Sequence, residues 1–326
     1  MTPGDLSLAV RRAVRCAVDD GELGVAVPDR VDIGRTRDAA EGDYAISLPL
    51  RLAKAAGLKP LDVADALARR LTGAPGLARV AVAPPGFLNV TLDAAARTAL
   101  LASVRAHPGP RATLDDLHLT PVHDGEPRAA AVADALTRML RACGAHEGPP
   151  APVRVRPAPT PLPALTADAL RWALVRPPAG DTPALDPAVL LSQRHANPLF
   201  RIQYAHARAH ALLRGAAALG ITPADGAPGH PAELAHPAEL ALLAVLADHP
   251  RVVTAAARDR APDRLARALE STADAFFDFH DACPALPFGD EKPSAAHRVR
   301  LALADAAAPV LAGGLALLGI GAPDHL

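Results

Sequence analysis

Aromatic, amide and guanidinium side chains crowd the start of one helical stretch at residues 197–214, NPLFRIQYAHARAHALLR. Phe200 and Tyr204 are four residues apart, so they share one face of a helix. RNA loops are recognised when unpaired bases stack on aromatic rings or arginine planes and their edges accept or donate hydrogen bonds. Side chains of these types have the chemistry to contact RNA. The candidate residues are Phe200, Arg201, Gln203, Tyr204 and Arg208.

Two histidines on the same predicted helix, His206 and His210, have the i, i+4 spacing of some metal-binding pairs. No glutamate lies between them in the metalloprotease arrangement, and the sequence shows no third ligand. We therefore predict no metal site. The alternative for His206, and equally for Tyr204, is packing inside a helical bundle.

A histidine and a carboxylate, His123 and Glu126, lie on either side of Gly125. Side chains of these types can act as an acid–base pair. The sequence offers no pocket around them, so a loop without chemistry is the preferred interpretation. We predict neither a catalytic residue nor a cofactor in this chain.

The composition limits the class of protein. Of 326 residues, 50% are apolar and only 3% aromatic, which predicts two or three domains built largely from closely packed helices. The net charge is −1, whereas general nucleic-acid-binding proteins are usually basic, so RNA binding must depend on local arginines and no DNA partner is expected. Three distant cysteines, Cys16, Cys143 and Cys283, favour a reduced, cytoplasmic protein without structural zinc.

Neither a signal peptide nor a membrane partner is expected. The basic residues Arg11, Arg12 and Arg15 are not followed by a long apolar run. The late apolar run at 310–322 has about 13 residues, which is too short to cross a bilayer.

The N-terminal part predicts a small α+β domain that ends near residue 95. Pro60 and Asp62 suit the first turn of a helix, and Gly57 suits the end of the preceding one. The predicted helices are 4–20, 42–58 and 60–73, and the predicted strands are a pair within 25–35 and two within 77–92, the latter around a Pro-Pro-Gly turn.

The remainder predicts a short βαβ-like remnant, a proline-rich linker and an all-α helical bundle. A strand at 115–123 and a helix at 128–144 precede the linker, which contains a short strand at 153–156. The helices expected after it are 166–175, 187–194, 198–219, 232–247, 249–259, 262–282 and 294–318.

The stretch that begins at Asn197 and Pro198 resembles the first helix of the DALR-type anticodon-binding domain of arginyl-tRNA synthetases. That family carries Asn-Pro, two aromatics and then Gln-Tyr-Ala-His-Ala-Arg, and this chain departs from it at Arg201, where a second aromatic is usual. The N-terminal segments GDYAISLPLRLAKAAGL and VAPPGFLNVTL resemble the family's extra domain, which touches the outer corner of tRNA. The resemblance implies RNA contact by Asn89, beside Phe87.

The resemblance extends to a vestige of the catalytic domain. Residues 120–145 resemble the family's first strand, signature loop and first helix, but the signature His-x-Gly-His reads His123-Asp124-Gly125-Glu126 here. A carboxylate in place of the second histidine would repel a triphosphate. The Lys-Met-Ser-Lys signature is absent, since no lysine lies between Lys59 and Lys292.

Together these features predict three regions. They are an extra domain at 1–95, a degenerate catalytic remnant with the linker at 96–165, and a stem with the anticodon-binding bundle at 166–326. The expected function is a non-catalytic tRNA-binding protein, with arginine tRNA as a candidate partner. Two alternatives remain open: a protein-interaction module that reuses the anticodon-domain surface, and an active ligase, which the missing signatures disfavour.

Overall fold

The computed structural model separates the chain into two compact units. The first contains Met1–Ser103 with Asp225–Ala247, and the second contains Val104–Ala224 with Asp248–Leu326. The residues that the structure describes are 1–36, 41–110, 113–224 and 234–326. The three-region division predicted from the sequence stays a prediction.

The first unit contains a four-stranded antiparallel sheet with helices packed on it. The strand order is β1-β2-β4-β3, and α3 contacts α1, α2, β3 and β4. The elements are α1 (Pro3–Asp19), β1 (Ile33–Arg35), β2 (Tyr44–Ile46), α2 (Leu48–Ala56), α3 (Pro60–Leu71), β3 (Leu77–Ala83), β4 (Phe87–Leu92) and α4 (Ala94–Ala106), whose last residues belong to the second unit.

The hairpin of β3 and β4 confirms the two strands predicted around Pro-Pro-Gly. Gly86 adopts φ +147°, and a Cβ there would lie 2.6 Å from Cβ of Pro60 and 3.0 Å from its backbone. Only glycine fits such a position without strain. The turn therefore brings the hairpin directly against the start of α3 and fixes where β4 begins.

The predicted helix 42–58 is wrong in its first third. Tyr44–Ile46 forms β2, a strand that pairs with both β1 and β4, and α2 begins only at Leu48. Pro49 lies in the first turn of α2, where a proline is tolerated. If the helix began several residues earlier, Pro49 would lie in its interior and would break it. The pair of strands predicted within 25–35 is likewise reduced to β1.

The second unit begins with a single βαβ unit, as predicted. Strands β5 (His118–Val122) and β6 (His146–Pro152) pair in parallel, and α5 (Pro127–Ala142) connects them. The strand predicted at 153–156 is wrong, because β6 lies earlier and includes three prolines. A two-stranded sheet has only edge strands, so prolines can occupy the side that needs no donor.

The helical part of the second unit is built on three long helices that pack against one another: α8, α10 and α11. Helix α11 also contacts α5 and α6. The bounds are α6 (Ala167–Val175), α7 (Pro187–Leu190), α8 (Pro198–Ala218), α9 (Pro237–Arg258), whose residues up to Ala247 belong to the first unit, α10 (Pro262–Ala282) and α11 (Ala295–Leu318).

Two helix predictions differ from the structure. Helix α7 stops at Leu190 rather than 194. The helices predicted at 232–247 and 249–259 are one continuous helix, α9, with Pro250 inside it, and residues 232–233 lie outside the described residues. An interior proline weakens a helix, but buried Leu246 and Val253 anchor α9 on both sides of it.

Helices α9 and α11 are long and apolar enough, by length and composition alone, to cross a membrane. Of the apolar window of α11, 67% is buried inside the protein, and of that of α9, 44%. A core helix passes the same test, so these lengths do not by themselves indicate a membrane protein.

Candidate nucleic-acid interface

The start of α8 is held by its capping residue, Asn197. The side-chain oxygen of Asn197 accepts hydrogen bonds from the backbone N–H groups of Leu199 and Phe200, at 3.1 and 3.4 Å. Its amide nitrogen donates to the carbonyl oxygens of Leu190 and Ser192, at 3.0 and 2.9 Å. Asn197 is buried, so one side chain joins the end of α7 to the first turn of α8 and fixes the direction in which α8 presents its side chains.

Four aromatic rings form a continuous row across α8 and α10, which we call the aromatic row. Phe200 and Tyr204 stack almost parallel, with ring centroids 5.6 Å apart. Tyr204 stacks on Phe277 of α10 at 5.7 Å, and His195 lies tilted against Phe277 at 6.4 Å. Tyr204 is 38% exposed, His195 is exposed, and the two phenylalanines are half-buried. Exposed aromatic side chains of this kind are the groups on which unpaired bases stack in proteins that bind single-stranded RNA.

Two members of the aromatic row, Phe277 and His195, were not among the residues predicted from the sequence. A signal for Phe277 was present in the segment FFDF. Phe276 and Phe279 are spaced for one helix face and both are fully buried, so Phe277 must lie off that face. Its contact with Tyr204 of α8, by contrast, depends on how α10 packs against α8 and could not be predicted from the sequence.

Two of the predicted RNA-binding residues are engaged within the protein. The guanidinium of Arg201 lies 2.9 Å from a carboxylate oxygen of Asp274, and its side chain is only 18% exposed. The amide of Gln203 donates to the carbonyl oxygen of Gly321 at 2.9 Å. Arg208 is exposed. Arg201 therefore tethers α8 to α10 beside the aromatic row, while Arg208 is accessible to a phosphate.

A hollow of about 530 Å³ opens beside the aromatic row. Phe200 and Gln203 line one part of it, and Ser192, Asn197 and Leu326 line others. It combines an aromatic ring with amide and hydroxyl groups, which are the features that hold an unstacked base. The amide groups of Asn197 and Gln203 already form hydrogen bonds within the protein, so the hollow adds mainly the ring of Phe200 to the candidate interface.

Phe87 and Asn89 lie on β4 of the first unit. Asn89 is 6% exposed, sits opposite Ala45 and Ala81 in the sheet, and donates from its amide to a carboxylate oxygen of Glu41 at 3.3 Å. Its side chain therefore supports the sheet. Phe87 is half-buried at the start of β4.

The loop that was predicted to be a degenerate signature caps helix α5. Glu126 accepts hydrogen bonds from the N–H groups of Ala129, at 2.7 Å, and Ala158, at 2.9 Å. Burial opposes the charge, but these donors outweigh it and lower the pKa of Glu126 below its ordinary value. His123 accepts from the backbone N–H of Gly125. Each group therefore has a structural partner in the loop.

A cavity of about 680 Å³ lies between the βαβ unit and the start of α10. Pro121 and Arg128 are among its lining residues, whereas His123 and Glu126 are not. Its arginines Arg264 and Arg267 form ion pairs with Asp259 and Asp263, respectively. The cavity therefore does not join the signature residues to a substrate pocket.

His206 and His210 face away from the aromatic row and toward the end of the chain. His206 is buried, and burial, only partly offset by the carbonyl of Pro323 and the carboxylate of Asp324, lowers its pKa below the ordinary value. Asp324 approaches both imidazoles, at 4.0 Å from His206 and 3.6 Å from His210. Asp324 is the third potential metal ligand beside His206 and His210, which the sequence alone did not show.

Two family profiles match the chain. Residues 8–92 match the profile described as arginyl tRNA synthetase N terminal domain. Residues 202–326 match the profile described as DALR anticodon binding domain. Phe87 and Asn89 lie within the first match, and Tyr204 and Phe277 lie within the second.

Similar curated proteins are arginine–tRNA ligases, and the chain spans about 30% of the length of the first of them. The ligase of Pseudarthrobacter chlorophenolicus is 42% identical over 164 residues, which are 50% of this chain and 30% of the ligase. That of Clavibacter sepedonicus is 44% identical over 166 residues, 50% of this chain and 29% of the ligase. The ligase of Renibacterium salmoninarum is 27% identical over an alignment of 554 positions that covers 100% of both chains. Because this chain has 326 residues, at least 228 of those positions are gaps in this chain.

Solved structures agree in fold. The arginyl-tRNA synthetase of Thermus thermophilus superposes with a TM-score of 0.73 at 16% identity. That of Plasmodium falciparum superposes with a TM-score of 0.68 at 8% identity. Both comparisons cover 100% of this chain and of the solved chain, and identities this low establish likeness of fold alone.

Proposed function

The chain belongs to the arginyl-tRNA synthetase family, and from that premise we propose that it is a tRNA-binding protein without ligase activity. Its two matched domains are the extra domain and the anticodon-binding domain. In this proposal the chain holds a tRNA, with arginine tRNA as the first candidate, by its anticodon stem-loop and its outer corner. We expect this activity in the cytoplasm.

The aromatic row carries the tRNA-binding proposal. It lies at the start of α8 and in α10, within or next to the anticodon-binding match. Each base stacked on an aromatic side chain contributes roughly 1–3 kcal/mol of binding free energy. Because base stacking does not depend on a strongly positive electrostatic potential, it is compatible with a chain whose net charge is −1. Arg208 and Arg214, both exposed on α8, supply local positive charge for phosphates.

The extra domain supplies the second contact in this proposal. Phe87 and Asn89 lie on the central part of its sheet, at the end that follows the Pro-Pro-Gly turn. Because Asn89 is buried, its role is to fix this end of the sheet, and Phe87 is the better candidate for a direct contact with the outer corner of tRNA.

The absence of ligase activity is proposed from the middle of the chain. Amino acid activation by this class of enzyme needs a doubly wound sheet with several strands, whereas β5 and β6 form a two-stranded one. Glu126 is committed to capping α5, and the lysine signature is missing. The gap of at least 228 positions against the ligase of Renibacterium salmoninarum is long enough to hold the missing strands.

An electrophoretic mobility shift with arginine tRNA and with total tRNA tests the proposal. We expect a shift that weakens steeply as salt is raised, because phosphate contacts release counterions. Tyr204→Ala and Phe277→Ala should each raise Kd about 5- to 150-fold, the equivalent of one lost stacking contact.

Phe288→Ala is the matched control, since Phe288 is 91% exposed and lies outside the aromatic row. Circular dichroism verifies that every variant is folded. Equal Kd values for the wild type, Tyr204→Ala and Phe277→Ala, or no shift at low salt, would overturn the proposal.

Phe288 itself favours a second candidate function, a protein-interaction module. Phe288, in the loop between α10 and α11, is an exposed apolar ring that a partner protein would bury, although single apolar residues are common on protein surfaces. The test is affinity purification with the wild type and Phe288→Ala. A defined protein retained by the wild type and lost from Phe288→Ala, with no tRNA bound to either, would favour this candidate.

A further inference from the structure

Three side chains with metal-binding atoms meet where the C-terminal segment approaches α8. His206 and His210 come from successive turns of α8, and Asp324 comes from the C-terminal segment 319–326. Nε2 of His206 and Nε2 of His210 lie 4.0 and 3.6 Å from Oδ1 of Asp324, and the ligand atoms of the three residues all lie within 4.8 Å of one another.

The donor set fits a divalent transition metal. Two imidazole nitrogens and one carboxylate oxygen, with water in the remaining position, are ligands that Zn²⁺ accepts at about 2.0–2.2 Å. Tetrahedral ligands at that distance are about 3.3 Å apart, so the carboxylate must approach His210 by about 0.3 Å and His206 by about 0.7 Å from the observed 3.6 and 4.0 Å. Asp324 and His210 are partly exposed, which gives them freedom to make that adjustment.

The buried histidine is already oriented for binding. His206 is 2% exposed, and its Nδ1 lies 3.1 Å from the carbonyl oxygen of Pro323. Donation of the Nδ1 proton to this carbonyl leaves the lone pair of Nε2 directed at Asp324. Ligating histidines are commonly held in this way by a carbonyl on their second nitrogen, which fixes both tautomer and ring orientation.

We propose that His206, His210 and Asp324 bind one Zn²⁺ and thereby clamp the C-terminal segment to α8. The segment already follows α8, because Gln203 donates to the carbonyl of Gly321 and Arg214 lies 3.4 Å from the carbonyl oxygen of Asp324. The metal adds a link at the middle of this contact. The site differs from the sequence-based expectation of no metal because that expectation had two ligands, and the third is supplied only by the fold.

Equilibrium dialysis of untagged full-length protein against Zn²⁺ tests the site. We expect one equivalent per chain and a rise of several degrees in Tm. His210→Ala and Asp324→Asn should lower the affinity by more than the 10- to 100-fold that loss of an outer partner of a metal site costs. Bound Co²⁺ should give the intense visible absorption of a four-coordinate site. These two variants avoid His206, whose burial makes its replacement disruptive.

His118→Ala is the matched control. His118 and His146 are two exposed histidines whose rings stack at 5.2 Å, and they are the competing histidine pair in the described part of the chain. Unchanged binding in His118→Ala supports the proposal. It is overturned if binding is lost in His118→Ala but kept in His210→Ala, or if the wild type takes up no Zn²⁺, which leaves only an ion pair between His210 and Asp324.

Discussion

Arg128 is a fully buried guanidinium whose five hydrogen bonds all go to backbone carbonyls. The acceptors lie 2.5–3.0 Å away and belong to Arg156, Leu174, Pro177, Pro178 and Asp181. Arginine suits this role because its planar group presents five donors in fixed directions. A single residue of α5 thereby holds the proline-rich linker and the end of α6 against the βαβ unit.

His249 is a second buried polar residue, but its environment disfavours charge. It is 3% exposed, and among the described residues Nδ1 has no hydrogen-bond partner. Burial lowers the pKa of His249 to about 4, from an ordinary value of 6.5. Between these two pH values the unfolded chain binds a proton that the folded chain does not, so stability falls as the pH is lowered.

We predict that His249→Leu flattens the acid limb of the stability profile. The wild type should lose free energy of unfolding from about pH 6.5 downward, by on the order of 1 kcal/mol per pH unit from this residue. The variant lacks this loss, so the gap between the two curves widens toward pH 5. Urea denaturation at pH 7, 6 and 5 measures the effect.

Replacement of the exposed His107 by leucine is the control for the loss of one histidine. It should leave the pH profile as in the wild type. Parallel profiles for the wild type and His249→Leu would contradict the assignment of a neutral buried imidazole.

At the scale of elements, the two adjacent glycines of α11 have different surroundings. A Cβ on Gly314 would lie 2.5 Å from Cδ2 of Leu269 on α10, whereas a Cβ on Gly313 would have no described atom within 4 Å. Gly314 therefore permits the close packing of α10 and α11. Gly313, exposed on the other side, only weakens the helix.

We predict opposite effects of alanine at these two positions. Gly313→Ala should stabilise the protein by about 0.5–1 kcal/mol, because alanine favours the helix. Gly314→Ala gains the same propensity but must displace Leu269, and overpacking of this kind costs typically 1–3 kcal/mol. The midpoint of urea denaturation should therefore lie above that of the wild type for Gly313→Ala and below that of the wild type for Gly314→Ala. Equal midpoints would show that Leu269 moves aside without cost.

At the scale of the molecule, the matches to an arginyl tRNA synthetase N terminal domain and to a DALR anticodon binding domain lie on either side of a two-stranded sheet in the sequence. The described strands β5 and β6 provide a single parallel pair. The contacts that Glu126 and Arg128 make hold this pair and the linker in place. In our proposal the remnant therefore persists as a structural connection and not as a site of reaction.

We predict that the purified chain supports no arginine-dependent exchange of pyrophosphate into ATP. It should instead inhibit charging by a full-length arginine–tRNA ligase, because it sequesters the tRNA, and added tRNA should relieve the inhibition. Tyr204→Ala should inhibit less than the wild type. The ligase alone is the positive control, and arginine-dependent exchange above background by this chain would refute the absence of activity.

The sequence was sufficient where local chemistry dictates the structure. Pro60 with Asp62 correctly located the start of α3, Gly57 the end of α2, and the Pro-Pro-Gly turn the β3–β4 hairpin. Predictions from the sequence failed where the pairing of distant strands determines the structure. Residues 44–46 form a strand because β1 and β4 lie on both sides of them, and β6 lies at 146–152 because β5 sets its register.

By itself, the sequence determined the family, the fold class and the helix that carries Phe200 and Tyr204, since these follow from residue types at fixed spacing. Only the tertiary structure decided what surrounds that helix. Phe277 and Asp324 approach α8 from other elements, one completing the aromatic row and the other the histidine pair. Such contacts join residues far apart in the chain, and their geometry is set by the packing of whole helices, which no local pattern encodes.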